Sequence, residues 1–542
     1  MEEPLIETQR YGYAGRRRDF CDEKILKIFN INFLQKRADE NWLIGYDCRH
    51  FTQIAVEFYL ELTQICYWKV PPKIILAEPE PLKFLAGFLA ACAAGYPVFL
   101  CNPNWVQEEW QQVFELVQPD IIWGRWGSHG VGISGMGTQQ FKIQNSKFQP
   151  HVKTDLENYL GCTQNNWLNP PLQMTTPYSG GGSTGKAMPC PYDSGLIMIP
   201  TGGSSGKIKF AMHTWETLMA SVRGFQKYFQ LKQVNSFCVL PLYHVSGFMQ
   251  FMRSFTTGGK LAIAPFKELE NRQLSNNIKP AEFFISLVPT QLQRLLQNHE
   301  LTEWLSQFHT VLLGGAPAWE ELLEQAKHHK IRLAPTYGMT ETASQIATLK
   351  PDEFLKGKQD SGQILPHAKI TICSPKGEKL GTNKPGNITI QAASLALGYY
   401  PNLFSNPHIF QPDDLGIIDN QGYLQIIGRN SNKIITGGEN VFPDEVESAI
   451  RATKLVNDVC VIGIPDKHWG QAVTAIYVPI NSAISPTKLQ TAILDKLTKF
   501  KHPKHWLPLT KLPRNPQGKI NHQQLQQLVQ VRNNKEETTK KN

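Results

Sequence analysis

The sequence predicts an α/β fold with a smaller α+β domain at its C-terminal end, on three observations. Short buried strands alternate with apolar helices over residues 72–101 and again over 237–335, the βαβ rhythm of parallel sheets. From about 361 to 426 the texture changes to short strands broken by turns, which suits a β-barrel-like subdomain. Helices and strands then resume after Arg429, in the stretch that holds nearly all of the chain's excess positive charge. The expected organisation is a large domain at 1–428, with two βαβ-type sheets and the barrel-like part, and a small domain at 429–542.

The elements follow in order. PKIIL (72–76) and PVFLC (97–101) read as strands around a helix at 81–94. Gly195–Ile199 is a strand entering a Gly/Ser stretch. Phe237–Leu240 and Lys260–Ala264 are strands around an apolar helix near 246–256. Ala281–Leu287 is a strand before a helix at 290–297, and Val311–Leu313 is a strand that runs into Gly314-Gly315. An amphipathic helix covers 319–329, and Arg332–Pro335 leads to a loop. Turns at Pro375-Lys376-Gly377, Pro385-Gly386 and Asn420-Gln421-Gly422 punctuate the barrel-like stretch. Beyond Arg429 come helices at 443–452 and 486–499, and strands at 458–463 and 472–478. Residues 160–195 read as a long loop and 533–542 as a polar, frayed end.

Composition bounds the function. With 542 residues, 41% hydrophobic and 19% charged, the chain has material for a large core and is not disordered, collagenous or coiled-coil. Residues 429–542 carry 17 Lys+Arg against 9 Asp+Glu, so +8 of the total +9 lies there. No interleaved aromatic–basic motif supports a nucleic-acid partner, and an anionic small molecule suits the charge as well. The ten cysteines include no C-x-x-C pair, which argues against a zinc site or a disulfide framework. The longest apolar run, Phe84 to Leu100, is interrupted by Gly95-Tyr96-Pro97 and reads as helix, turn and strand, with no stable membrane insertion. A reducing compartment is expected, the cytoplasm or a plastid interior.

Two Gly-rich stretches compete as phosphate loops. GGGSTGKA (180–187) has P-loop spacing, but Ala187 replaces the hydroxyl residue that binds magnesium and no strand precedes it. TGGSSGKIK (201–209) follows a strand. Its glycines let backbone N–H groups converge on phosphate oxygens, while Thr201, Ser204 and Ser205 add hydroxyls and Lys207 and Lys209 add charge. Further motifs appear in order: PLYHVSG (241–247), GGAPA (314–318), TYGMTETAS (336–344), DDLG (413–416), GRNSNKIITGGENVFPDEVE (428–447) and PRNPQGKI (513–520).

With these six co-linear motifs, the chain resembles the adenylate-forming superfamily of acyl-CoA synthetases, adenylation domains and luciferases over roughly residues 40–525. The resemblance implies activation of a carboxylate by ATP and Mg²⁺ and transfer of the acyl group to coenzyme A. An anion must then meet a polyanion, which requires cations and alignment. It implies that Thr201, Gly202, Gly203, Ser204, Ser205, Gly206 and Lys209 hold phosphates. Glu341 would hold Mg²⁺ and Thr340 would bond the α-phosphate. Tyr337, Gly314 and Gly315 would line the adenine and acyl site, Asp414 would take the ribose with Arg429 nearby, and His244 would stand beside the acyl carboxylate. Lys519 would bridge that carboxylate and the α-phosphate, on a mobile domain that takes two poses about a hinge expected at Ser431. Departures from the family pattern are Ser431 itself, Ile208 where proline is common, and Pro412-Asp413 before the ribose aspartate.

The stretches TGGSSGKIKFAMHTW, PLYHVSGFMQFMR, SLVPTQL and LLGGAPA look most like o-succinylbenzoate–CoA ligases of cyanobacterial or plastid type, which serve menaquinone and phylloquinone biosynthesis. Their substrate carries a second carboxylate on its ring. Arg253, inside an apolar helix, needs an anionic partner, either a protein carboxylate or that second group. The alternatives are another aryl- or fatty-acyl-CoA ligase and a nucleotide-binding protein without activity.

Overall fold

The computed structural model describes residues 31–64, 71–125, 195–202, 207–271, 278–436, 439–466, 468–514, 520–522 and 524–529. Four sheets organise them. The first is seven-stranded, in the order 402–403, 398–399, 208–213, 197–202, 98–100, 74–77 and 121–124. Its Ile74–Ala77, Val98–Leu100 and Ile121–Gly124 strands pair in parallel, the first two wholly buried and the third, at the edge, buried only at Trp123. The helix Pro81–Ala93 crosses between the first two. Pro81 suits its first turn, where a backbone N–H is not needed, and the helix is buried from Leu82 to Cys92 except at Lys83. The second sheet is eight-stranded, in the order 43–44, 261–263, 235–238, 283–287, 310–313, 333–339, 344–348 and 363–364. Its first six strands are parallel.

The barrel-like texture becomes a four-stranded antiparallel sheet rather than a closed barrel, in the order 368–373, 386–392, 414–418 and 424–429. A fourth sheet, of strands 439–441, 434–436, 470–479, 456–466 and 505–508, forms the C-terminal part. Arg429 closes the Leu424–Arg429 strand, so the passage between sheets runs through Asn430–Lys433, one residue beyond the expected boundary. Each sheet carries its own core. Phe84, Phe88, Phe248 and Phe251 pack beside the first sheet, and Ile285, Leu292, Val311 and Leu333 in the second. Ile370, Ile388 and Leu424 pack in the third, and Val446, Val461 and Val473 in the fourth. Among the described residues no helix is long and apolar enough to cross a membrane. Six described cysteines are buried and free.

Three local expectations change. The strand after the 319–329 region extends over Leu333–Met339 instead of stopping at Pro335, because the Ser344–Thr348 strand folds back on it. Gly338 permits that reversal, since a Cβ there would meet Ser344 O at 2.2 Å. The helix at 486–499 ends at Ala492, followed by a short 3-10 turn at Lys499–Lys501. The helices Cys48–Gln64, Gln107–Val117 and Trp215–Phe229 are additional to those expected. The 180–187 stretch, the 533–542 end and all of the 160–195 loop except Gly195 lie outside the described residues.

Candidate active site

Parallel strands of an open α/β sheet place ligands beyond their C-terminal ends. The strands Phe283–Leu287 and Thr310–Leu313 end level with Pro335 of the Leu333–Met339 strand, and the motif residues follow from there. Gly314 and Gly315 come after Leu313. A Cβ on Gly314 would meet Thr336 Oγ1 at 2.6 Å, and Gly315 has a φ of +83°. Both glycines therefore hold the chain where a side chain does not fit.

The Thr340–Thr342 turn follows Met339, and Glu341 within it is 7% exposed. Its carboxylate accepts a 2.6 Å hydrogen bond from Tyr399 Oη. Burial, then the charge of Glu341, pushes the Tyr399 phenol well above its ordinary range, so it stays a donor. Lys209 Nζ lies 5.1 Å from the Tyr399 ring centre. The turn is held by its carbonyls. Thr340 O faces His213 Nε2 at 2.8 Å, Glu341 O accepts from Ala396 N, Thr342 O accepts from Ser394 Oγ, and Ala343 O accepts from Ser221 Oγ.

Asp414 opens the Asp414–Ile418 strand, and Arg429 closes its antiparallel neighbour directly opposite. Arg429 Nε donates to Asp414 Oδ1 at 3.1 Å, and Tyr337 Oη donates to Oδ2 at 2.7 Å. The resemblance places Tyr337 in the adenine and acyl site; the structure gives its hydroxyl a fixed partner. Burial and then Asp414 push that phenol far above its ordinary range.

Thr201 and Gly202 lie on the Ile197–Gly202 strand, not in a loop, and pair with Lys209 and Ile208 of the next strand. The strands 197–202 and 208–213 are antiparallel neighbours, and both pack against the Thr340–Thr342 turn. Gly203, Ser204, Ser205, Gly206 and Lys519 lie outside the described residues. Next to Lys519, Ile520 pairs with Arg514. His522 lies in the field of Asp444 and Arg429, with burial as the main cause of its lowered pKa.

His244 precedes the helix Val245–Thr256, its ring 4.6 Å from that of Tyr243. Arg253, in the same helix, is 2% exposed. One of its terminal nitrogens donates to Ser344 Oγ at 2.9 Å and to Gln345 Oε1 at 2.7 Å, and its guanidinium lies 4.3 Å from the Phe225 ring centre. All three partners are neutral. Among the described residues no carboxylate lies within 4.0 Å of it, and burial pushes its pKa down to about 9. His367 lies close by, against the backbone of Gly224.

Motif reading does not single out His213, Ser221, Ser394 and Tyr399. His213 stands just after the phosphate-loop hairpin; the others carry no local signal, because their partners are more than 50 residues away.

Residues 69–400 match the family of AMP-binding enzymes, and residues 445–519 match the AMP-binding enzyme C-terminal domain. A 2-succinylbenzoate–CoA ligase of Listeria monocytogenes is 33% identical over 334 residues, which is 60% of this chain and 68% of that protein. One from Enterococcus faecalis is 30% identical over 338 residues, 61% of this chain and 69% of that protein. In fold, the chain is similar to the o-succinylbenzoate CoA synthetase of Bacillus subtilis solved with its acyl-adenylate intermediate. That match has 22% identity and a TM-score of 0.70, covering 91% of this chain and 97% of the other. It is also similar to ATP-bound MatB from Rhodopseudomonas palustris, at 20% identity and a TM-score of 0.70, covering 94% and 98%.

Proposed function

The chain belongs to the AMP-binding enzyme family, and from that premise we propose that it is an ATP-dependent ligase that converts 2-succinylbenzoate to its CoA thioester. The observation that carries this reading is the 33% identity to a 2-succinylbenzoate–CoA ligase over 68% of that enzyme. In the first step a carboxylate oxygen attacks the α-phosphorus of ATP and pyrophosphate leaves. In the second the CoA thiol attacks the acyl carbon and AMP leaves.

The geometry supports roles for Glu341 and Asp414, and the motifs support the remaining assignments. Glu341 fits a magnesium ligand: its buried carboxylate has one hydrogen-bond donor and, among the described residues, no cation within 4.0 Å. Magnesium, when bound, offsets phosphate charge, and one carboxylate plus substrate phosphates is its usual holding. Among the described residues no cluster of three or more His, Cys, Asp or Glu side chains offers an all-protein cage. Asp414, held from both sides by Tyr337 and Arg429, presents a fixed acceptor for ribose hydroxyls. Thr340, His244, Gly314 and Gly315 are assigned to the acyl-phosphate end, and Thr201 to Gly206 with Lys209 to the phosphates. Arg253 is assigned to the ring carboxylate, directly or through water. Lys519 is assigned to the adenylation step, on a C-terminal domain from 429 onward that turns about Ser431. The proposed setting is the cytoplasm.

The test is a panel of acids with ATP, Mg²⁺ and CoA, read by pyrophosphate release and mass spectrometry. The expected result is an acyl-AMP and a thioester from 2-succinylbenzoate, ahead of benzoates and fatty acids. A fatty or simple aryl acid turned over faster would give the chain to another acyl-CoA ligase.

A further inference from the structure

The Thr340–Ala343 turn carries two of the residues assigned to the reaction, yet its own conformation is costly. Ala343 and Ser344 have φ of +51° and +93°, a region that non-glycine residues enter rarely. The surrounding structure must therefore hold the turn. Four consecutive carbonyls have partners from outside it, from three separate segments: the hairpin strand 208–213, the helix 215–229 and the segment 394–396.

One of these four partners joins the two halves of the proposed nucleotide site. His213 ends the strand whose hairpin carries Lys209 and the Gly/Ser stretch, and its Nε2 meets the carbonyl of Thr340. A carbonyl only accepts, so Nε2 bears the proton, and Nδ1 lies 3.1 Å from Thr217 Oγ1, which donates its own proton to Thr214 O at 2.9 Å. Thr217 is itself fixed by a reciprocal cap with Thr214, whose Oγ1 accepts from Thr217 N while Thr217 Oγ1 accepts from Thr214 N. The ring is thus oriented from behind before it reaches the turn. His213 is 0% exposed, so no water replaces the bond if the ring is removed. Burial holds it neutral, with its pKa pushed down to about 4, so this tautomer persists across the working pH range.

We propose that His213 is a positioning residue that fixes the distance between the phosphate-loop hairpin and the turn bearing Thr340 and Glu341. The proposal rests on the ligase reading. It requires that loss of the bond act on the adenylation step, where phosphate and metal must be held together, and not on the later attack by the thiol.

The experiment compares the full-length wild type with His213→Leu, which lacks the donor, and His213→Gln, whose amide N–H restores one. Pyrophosphate release is measured against ATP, acid and Mg²⁺, and thioester formation is measured separately from supplied acyl-adenylate and CoA. In His213→Leu, kcat for pyrophosphate release should fall about 10- to 100-fold, the effect of stranding one buried acceptor. The half-saturating Mg²⁺ should rise, KM for the acid should stay within about twofold, and thioester formation from acyl-adenylate should be near normal. His213→Gln should recover most of the loss. The inference is overturned if a folded His213→Leu is as active as wild type, if both half-reactions fall equally, or if His213→Gln folds yet is as impaired as His213→Leu. A wild type that releases no pyrophosphate with any acid overturns the ligase reading instead, which separates the two failures.

Discussion

Two adjoining regions treat their buried polar atoms in opposite ways. In the Thr340–Ala343 turn every main-chain carbonyl has a partner. One residue further on, around Arg253, partners run out. Arg253 Nε, Gln345 Nε2 and both ring nitrogens of His367 are buried with no hydrogen bond to a protein group among the described residues. A stranded buried donor costs about 1–3 kcal/mol, so a cluster of them marks a place that something else completes. The turn is finished by the fold. The fold leaves the Arg253 region incomplete among the described residues, and the acid's second carboxylate is proposed to complete it.

The largest effect should come from a residue that neither region contains. Lys519→Ala should reduce acyl-adenylate formation by at least about 100-fold, the scale of one lost charge stabiliser. Conversion of supplied acyl-adenylate to thioester should proceed at a near-normal rate. Equal loss in both half-reactions would mean that the finished turn and Lys519 do not work in one step and part company in the next.

The unfinished region gives the next effect. Arg253→Ala should raise KM for 2-succinylbenzoate about 10- to 150-fold, the equivalent of a hydrogen bond to a charged group. KM for ATP should be unchanged, because none of Arg253's partners is assigned to ATP. An analogue without the ring carboxylate should bind weakly and ignore the mutation. A structural ion pair would instead lower stability and damage every acid alike. The neutral partners of Arg253 already speak against that, since no described carboxylate is within reach.

Acid sharpens the contrast through two histidines. His213 and His367 are both pushed down to about 4 by burial, with Arg253 adding to the effect on His367. In the unfolded chain they titrate near 6.5. Between these values the unfolded chain holds more protons, so stability rises with pH and is lost as pH falls from about 6.5 to about 4. Each histidine contributes a slope of up to about 1.4 kcal/mol per pH unit. His213→Gln and His367→Gln should each flatten the acid limb of Tm against pH. At pH 7.5 they should differ: His213→Gln keeps a donor for Thr340 O but loses the ring packed against Thr217 and lowers Tm, whereas His367→Gln removes no hydrogen bond. Equal Tm losses at pH 7.5 would erase the distinction between the regions.

The sequence makes the two regions unequally legible. Glu341, Asp414, Arg429 and Arg253 stand in motifs, and the helix that carries Arg253 follows from a run of apolar residues. The supports do not. Ser394 and Tyr399 reach the turn from more than 50 residues away, and Ser221 from more than 100, so no local spacing announces them. The neutral surroundings of Arg253 were equally hidden, because a cation in an apolar helix signals only that some partner is needed. The Leu333–Met339 strand outran its expected end because its last residues pair with the Ser344–Thr348 strand, a return through the Thr340–Ala343 turn that the polar motif does not announce.

The smallest effect tests the finished region at the hydrogen bond to Glu341, the proposed magnesium ligand. Tyr399 Oη donates to Glu341 at 2.6 Å, and its raised pKa keeps it protonated at any working pH. In Tyr399→Phe two effects oppose each other. The carboxylate loses a donor that orients it, but it also keeps more negative charge for a cation. Glu341 O stays bound to Ala396 N, so the turn itself does not move. The net change should therefore be that of one ordinary hydrogen bond, about a 2- to 10-fold fall in kcat for pyrophosphate release. The Mg²⁺ dependence should shift with it, while KM for the acid should hold. A loss beyond about 100-fold would mean that Tyr399 touches the reacting groups themselves. An unshifted Mg²⁺ curve would remove Glu341 as the metal ligand, because a group bonded to that carboxylate cannot be removed without changing how it holds a cation.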